Sequence, residues 1–371
     1  SLPSRGLGDV YKRQFLNILL VGLAALALNG CGGEGGGNAG GGAGSGRTQY
    51  VNLGTAPTGG AFAPVGNAIA SVLNENKGEN KWKVGAKGTK GSQENIRMLD
   101  KGELSLGMSN SAISYYAGKG ESGWDKPYNV RAVVTLAPNV GIFVSKKGSG
   151  IKSLADLAEK RICVGPGGAG FEMFLGPLMT AHGVEYTADN ENFSAINANY
   201  SDSVSQLADG NADAAFIGGA IPTPALTQAC STMDIQFIPY DEATRTQLIK
   251  DYPYYSPIQV PSDKYTDLEE DFQAMNVGSM QLISHADVDE ELIYQMTKTI
   301  WENREEIAKQ HPAAKAINEK NAARFTGTEF HPGAIRFYKE IGIWPESAAE
   351  EDAATEEATP AETPAEAEAS E

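Results

Sequence analysis

Val164-Gly165-Pro166-Gly167-Gly168-Ala169-Gly170-Phe171 decides the fold, because the chain has used the same grammar once before, at Gly54-Thr55-Ala56-Pro57-Thr58-Gly59-Gly60-Ala61-Phe62. Gly59-Gly60-Ala61-Phe62 corresponds to Gly168-Ala169-Gly170-Phe171 at an offset of 109, and Leu99-Asp100-Lys101-Gly102 to Leu207-Ala208-Asp209-Gly210 at an offset of 108. A short apolar strand leads into each glycine turn, Tyr50–Thr55 in one case and Arg161–Gly165 in the other. A helix follows each: Val65, Ala68, Ile69, Val72 and Leu73 recur at helical spacing after the first turn, and Phe171–Met179 reads as a helix after the second. Outward from these turns, Trp82–Ala86, Leu104–Met108 and Val130–Leu136 read as further strands, with a helix carrying Ile96 and Leu99 between Ser92 and Gly102. In the second half, Ser201–Ala208 is a helix stopped by Gly210, and Ala212–Ile217 is the next strand. Alternation of this kind predicts an α/β chain of two similar lobes, each a mostly parallel sheet with helices on its faces.

Beyond Tyr240 the pattern becomes irregular and rich in Pro and Tyr, then gives a strand at Val277–Ile283 and a long amphipathic helix over Asp289–Gln310. Leu292, Ile293, Met296, Ile300 and Ile307 share one face of that helix, and a last helix over Pro332–Ile341 presents Ile335, Tyr338 and Ile341. These elements are expected to brace the first lobe, whose sheet would otherwise be partly uncovered.

The ends carry addresses rather than fold. Residues 1–14 lack an initiator Met and resemble, in one reverse translation of Asp9–Gln14, a sequencing adapter; they are read as an assembly scar. Residues 15–31 combine a basic flank at Lys12 and Arg13 with an apolar run and Leu28-Asn29-Gly30-Cys31, the pattern of a lipoprotein signal whose cysteine is acylated. Cys31 would then tether an extracytoplasmic body to a membrane through the Gly-rich leash of 32–47. The 346–371 tail is Ala/Glu/Pro/Thr-rich and expected to be disordered; it holds ten acidic and no basic residues, so only −7 of the formal charge of −17 belongs to the rest. No basic stripe is available to a phosphate backbone, which argues against nucleic acid. Cys163 and Cys230 match no zinc spacing and read as buried thiols, with a bridge between them permitted by the compartment.

Ligands of open parallel sheets sit at the carboxyl ends of the strands, where helix starts present unpaired N–H groups. Both glycine turns lie there, and Gly59, Gly60, Gly167, Gly168 and Gly170 let the backbone approach a guest. Thr55 and Thr58 add hydroxyls; Ser92 is either a helix cap or a ligand contact; Ser109 and Asn110 lie just beyond the third strand. Gly218 and Gly219, ahead of Pro222, read equally as a tight turn. Two turns facing across a cleft would grip an anion from both sides. Enzyme signatures are missing from the sequence: residues 165–170 lack the Gly-Lys-Ser/Thr ending of a P-loop, Gly59–Phe62 is not the dinucleotide fingerprint, and no serine stands in a hydrolase elbow. His182 and His285 occupy loop-like positions, while His311 and His331 each precede a proline at a helix boundary, where they read as caps. No catalytic residue, metal or cofactor is expected.

Gly54-Thr55, Thr58-Gly59-Gly60, Gly91-Ser92 with Asn95, Ser109-Asn110, residues 164–170 and His331-Pro332-Gly333-Ala334 together resemble the TAXI receptors, the TRAP-associated extracytoplasmic immunogenic proteins, over Thr48–Trp344. The resemblance implies a type II periplasmic-binding-protein fold with a ligand cleft between two lobes. Lobe 1 would comprise 48–136 plus about 246–345 and lobe 2 residues 137–245, with a first crossing near Leu136–Ile142 and a return after Pro239. It implies a monomeric receptor that delivers glutamate, glutamine or a related carboxylate to TRAP-type permease subunits. Carried over, Thr55, Thr58, Gly59, Gly60, Phe62, Ser92, Asn95, Ser109 and Asn110 would serve from lobe 1, and Gly167, Gly168, Ala169, Gly170 and Gly218 from lobe 2. Phe62 stands where that family commonly has Tyr, and Ala169 where it has Ser, so two hydroxyls are missing. A sensor without a transporter and an enzyme on the same scaffold remain the alternatives.

Overall fold

The first half of the chain carries the strands and helices read from its periodicity and one further helix, over Ser111–Lys119, that was not read there. The computed structural model describes residues 48–57, 59–186 and 194–345; Thr58, the lipoprotein segment with Cys31, the leash and the acidic tail lie outside them. β1 (Gln49–Gly54) leads to α1 (Phe62–Glu75), β2 (Trp82–Lys87), α2 (Ser92–Asp100), β3 (Leu106–Asn110), α3 (Ser111–Lys119) and β4 (Val130–Thr135). The apolar set of α1 is its buried face: Val65, Ala68, Ile69, Val72 and Leu73 are all buried. Every residue of β3 is buried, as befits a strand covered on both sides.

The chain then crosses into β5 (Val140–Lys146), β6 (Arg161–Gly165), α4 (Glu172–Ala181), β7 (Ser194–Asn197), α5 (Tyr200–Ala208), β8 (Ala214–Gly219), α6 (Pro224–Thr232), β9 (Ile235–Ile238), α7 (Glu242–Asp251), β10 (Tyr255–Val260) and β11 (Phe272–Val277). It returns through β12 (Met280–His285) and ends with α8 (Glu290–Glu302), α9 (Arg304–Gln310) and α10 (Pro332–Glu340). The helix expected over 289–310 is two helices, broken at Asn303, which closes α8 and opens α9.

Two sheets result. The first runs β2-β1-β3-β12-β4, with β1, β2 and β3 parallel and β12 antiparallel to both its neighbours. The second runs β10-β11-β5-β8-β6-β7, with β9 also on β5. β10 and β11 belong to this second sheet, which corrects the expectation that the chain rejoins the first lobe near residue 246. The reason is visible in the register: β9 covers only Phe143–Lys146 of β5, leaving Val140 and Gly141 to pair with Asn276 and Met275 of β11. The return falls at Gly278 and Ser279 instead.

The two crossings lie side by side and are bonded to each other. Val277 N–H donates to Asn139 O at 2.9 Å, Met280 N–H to Ala137 O at 2.9 Å, and Leu136 N–H to Met280 O at 2.7 Å. One apolar core fills the first sheet's side, around Leu53, Ile69, Leu106, Met296 and Phe337. The other is centred on Phe143, Phe174 and Phe216 and extends into α2 and α3 through Ile96, Ile113, Tyr116 and Trp124. Tyr116 Oη meets Tyr254 Oη at 2.7 Å, and Trp124 Nε1–H points at Met173 Sδ at 3.2 Å, so helices after the first sheet's strands pack directly on the second half. Cys163 and Cys230 are free thiols, Cys163 buried and Cys230 only partly so where both were read as buried, and desolvation pushes both above their ordinary pKa.

His311 and His331 are caps: their Nδ1 atoms accept from Ala313 N–H and Gly333 N–H. His182, expected in a loop-like position, closes α4 and is buried, with Nδ1 at 2.8 Å from Leu178 O. Desolvation pulls all three imidazoles below their ordinary value of 6.5. Each is neutral in the fold yet takes up a proton in the unfolded chain below about pH 6.5, so their stabilisation is complete above that pH and is lost as pH falls through the depressed values. The melting temperature should therefore decline from about pH 7 to about pH 5, before carboxylates begin to protonate. His331→Asn, which can keep the cap, should flatten the decline; an unchanged slope would reject this origin.

Candidate functional site

Where β1, β3, β6 and β8 end, five helix starts converge on one narrow cavity of about 60 Å³. From the first half its wall includes Ala56, Pro57, Gly60, Ala61, Phe62, Lys90, Gly91, Ser92, Asn110 and Met280. From the crossing and the second half come Asn139, Pro166, Phe171, Asn199, Tyr200, Gly218 and Gly219. The starts of α1, α2 and α4, at Ala61, Gly91 and Phe171, carry no side-chain cap. Those of α3 and α5 are capped by Asn110 Oδ1, which accepts from Ala112 N–H at 2.8 Å, and by Asn199 Oδ1, which accepts from Asp202 N–H at 3.0 Å. Each start contributes a partial positive charge of roughly half a unit. Lys90 adds a full one, and no Asp or Glu lies among the described lining residues. Beside the polar side chains of Ser92, Asn110, Asn139 and Asn199 the wall carries Phe62, Phe171, Met280, Pro57 and Pro166, with the buried ring of Tyr200.

Five of the residues singled out in the sequence line this cavity: Gly60, Phe62, Ser92, Asn110 and Gly218. Ser92 is the first residue of α2 rather than its cap; Gly91 holds that position, and Ser92 Oγ accepts from Asn110 N–H at 3.0 Å. Asn110 also donates through Nδ2 to Val277 O at 3.1 Å and Gly278 O at 3.2 Å, tying the head of α3 to the returning crossing.

Three others stand behind the wall and hold it. Thr55 Oγ1–H donates to Lys87 O at 3.0 Å; Asn95 Nδ2 donates to Thr55 O and Met108 O, both at 2.8 Å; Ser109 Oγ meets Ser114 Oγ at 2.8 Å. Thr55 Oγ1, Asn95 Nδ2 and Ser109 Oγ are thus used by the scaffold, while Asn95 Oδ1 is buried without a partner among the described residues, and none of the three residues lines the cavity. The glycine turns also hold the halves together. Gly59, at φ +96°, lies so close to α5 that an added Cβ would sit 2.7 Å from Ser201 Oγ. Gly167, Gly168, Ala169 and Gly170 are absent from the wall, because their turn packs on the start of α2, where Gln93 N–H donates to Ala169 O at 3.2 Å. The cavity wall therefore holds Gly60 from the first turn and the flanking Pro166 and Phe171 from the second.

Lys90, Asn139, Phe171, Asn199 and Tyr200 were not singled out as ligand contacts. Asn199-Tyr200 and Phe171 immediately precede or begin helices that follow strand ends, which is the positional signal that could have found them. Asn139 sits in a crossing, and its sequence carries no such signal. Burial raises the Tyr200 phenol well above its ordinary pKa, so it is present as the neutral hydroxyl.

Two α/β halves, joined by a pair of bonded crossings and enclosing a cavity at strand carboxyl ends, constitute a type II periplasmic-binding-protein fold. The chain belongs to the NMT1-like family, whose model matches residues 53–342. Among solved structures it is similar to the periplasmic aliphatic sulphonate binding protein SsuA from Escherichia coli, at 14% identity and a TM-score of 0.41 over 81% of this chain and 84% of that one. It is similar also to a binding protein component of an ABC phosphonate transporter from Pseudomonas aeruginosa, at 11% identity and a TM-score of 0.48 over 84% of this chain and 100% of that one. A third, PhnD1 from Prochlorococcus marinus in complex with methylphosphonate, shares 11% identity and a TM-score of 0.47 over 79% and 98%. The expected membership in the TAXI class of TRAP receptors is corrected by the family match, which is to the NMT1-like family. The residues that carried the resemblance are largely those that shape turns and hold helix starts, a need set by the architecture.

Proposed function

We propose that this protein is an extracytoplasmic solute receptor that captures a small organic anion, a carboxylate or an amino acid held through its carboxylate, and passes it to a membrane permease. The observation that carries this reading is the meeting of three helix starts without a side-chain cap and Lys90 on a cavity that has no carboxylate among its described lining residues. Such a site favours negative charge without any reacting group. Closure supplies the signal: the contact of Gly59 with α5 and the bond from Gln93 to Ala169 join the halves, so a guest that bridges them shifts the population toward the closed form. Export and a lipid tether at Cys31 complete the reading of the chain as a surface receptor.

A thermal-shift screen of the purified protein against carboxylates, sulfonates, phosphonates and amino acids tests it, since a ligand that binds only the native state must raise the melting temperature. Ser92→Ala should weaken the binder found in that screen by about tenfold, through loss of one hydrogen bond to a charged group. Isothermal titration reads the change, and wild-type affinity in the variant would remove Ser92 from the site.

A further inference from the structure

We infer that the cleft takes an organic anion lacking an amino group, a hydroxy- or oxo-carboxylate, in preference to the matching α-amino acid. This rests on the reading of the cavity as an anion receptor's site and narrows it. The polar groups that remain free on the wall are mostly donors. Ser92 is 1% exposed, and its oxygen already accepts from Asn110 N–H, leaving the hydroxyl proton to give. Asn139 is 7% exposed; its backbone N–H is held by Asn276 Oδ1 and its carbonyl by Val277 N–H. Its carboxamide has no protein partner among the described residues and reaches over Gly218, where an added Cβ would lie 3.2 Å from Oδ1. Lys90 and the starts of α1, α2 and α4, which carry no side-chain cap, add positive charge, although Gln93 N–H of α2 and Met173 N–H of α4 are already taken by Ala169 O and Gly170 O.

Acceptors are scarce by contrast. The oxygens of Asn110 and Asn199 are used on helix starts, and none of the described lining residues is Asp or Glu. An α-ammonium group buried here would bring three N–H donors and a full positive charge among helix starts of the same sign. Desolvation without an anionic partner disfavours such a charge. A carboxylate with a neighbouring hydroxyl or keto oxygen meets mostly donors, the carboxamide oxygen of Asn139 being the one side-chain amide acceptor left free on the described wall.

Isothermal titration of the full-length protein against matched pairs decides the matter: 2-oxoglutarate with L-glutamate, pyruvate with L-alanine, and 4-methyl-2-oxopentanoate with L-leucine. The amine-free member of whichever pair binds should be tighter by about tenfold or more. Asn139→Asp, which installs the missing anion at nearly constant shape, should move the ratio toward the amino acid by about tenfold. Equal or tighter binding of the amino acid overturns the inference while leaving the receptor reading intact. An unchanged ratio in Asn139→Asp also overturns it, by placing the guest away from Asn139. Silence from both members of every pair at millimolar concentration overturns the receptor reading for carboxylates and this inference with it.

Discussion

Replacing Asn110 with alanine should destabilise the protein by roughly 3 kcal/mol, since it removes a helix cap and two buried hydrogen bonds worth about 1 kcal/mol each. For a chain of this length that corresponds to a drop in melting temperature of about 5–10 °C. The side chain joins three things that lie far apart in sequence: the end of β3, the start of α3, and the carbonyls of Val277 and Gly278 on the returning crossing. Nothing can approach from the other side to compensate, because Gly278, at φ +106°, is so close that a Cβ there would fall 2.1 Å from Asn110 Oδ1. Ligand affinity should fall with stability, as Asn110 lines the cavity and holds the start of α3 against the returning crossing. Thermal melts by circular dichroism test the claim, and a melting temperature within about 1 °C of wild type would show that the crossing is held elsewhere.

Gly218→Val should cost about a hundredfold or more in affinity for any guest of the cleft. A Cβ at Gly218 would sit 2.9 Å from Tyr200 Oη, 3.1 Å from Phe216 Cζ and 3.2 Å from Asn139 Oδ1, so the added methyl groups must take space from the cavity or push those three groups into it. Overpacking of this kind destabilises by about 1–3 kcal/mol, which a melt reads separately from binding. A valine variant that folds and binds as wild type would place the guest elsewhere in the molecule.

The architecture was readable wherever local pattern and global fold agree. The apolar stripe of α1, the glycine turns after β1 and β6, and the stop at Gly210 each follow from a few adjacent residues. β10 and β11 were assigned to the wrong half because their place is set by pairing at long range: Met275 lies opposite Gly141, and no local signal records that β9 leaves this stretch of β5 uncovered. The cavity was legible in outline for a related reason. Helix starts at strand ends can be located from sequence, which found Gly60, Phe62, Ser92, Asn110 and Gly218. Whether a polar group there faces the cavity or a carbonyl depends on neighbours from other elements, and so Thr55, Asn95 and Ser109 lie behind the wall, while Asn139 and Tyr200, which line it, were not singled out.

The aromatic seam that joins α3 to the second half, Tyr116 against Tyr254 with Trp124 over Met173, lies away from the cavity wall. In a receptor that opens by parting its halves, that seam would act as a latch whose grip sets how long cargo dwells, independently of the groups that choose the cargo. Selection and release timing would then be separable traits of one chain, tunable at different residues.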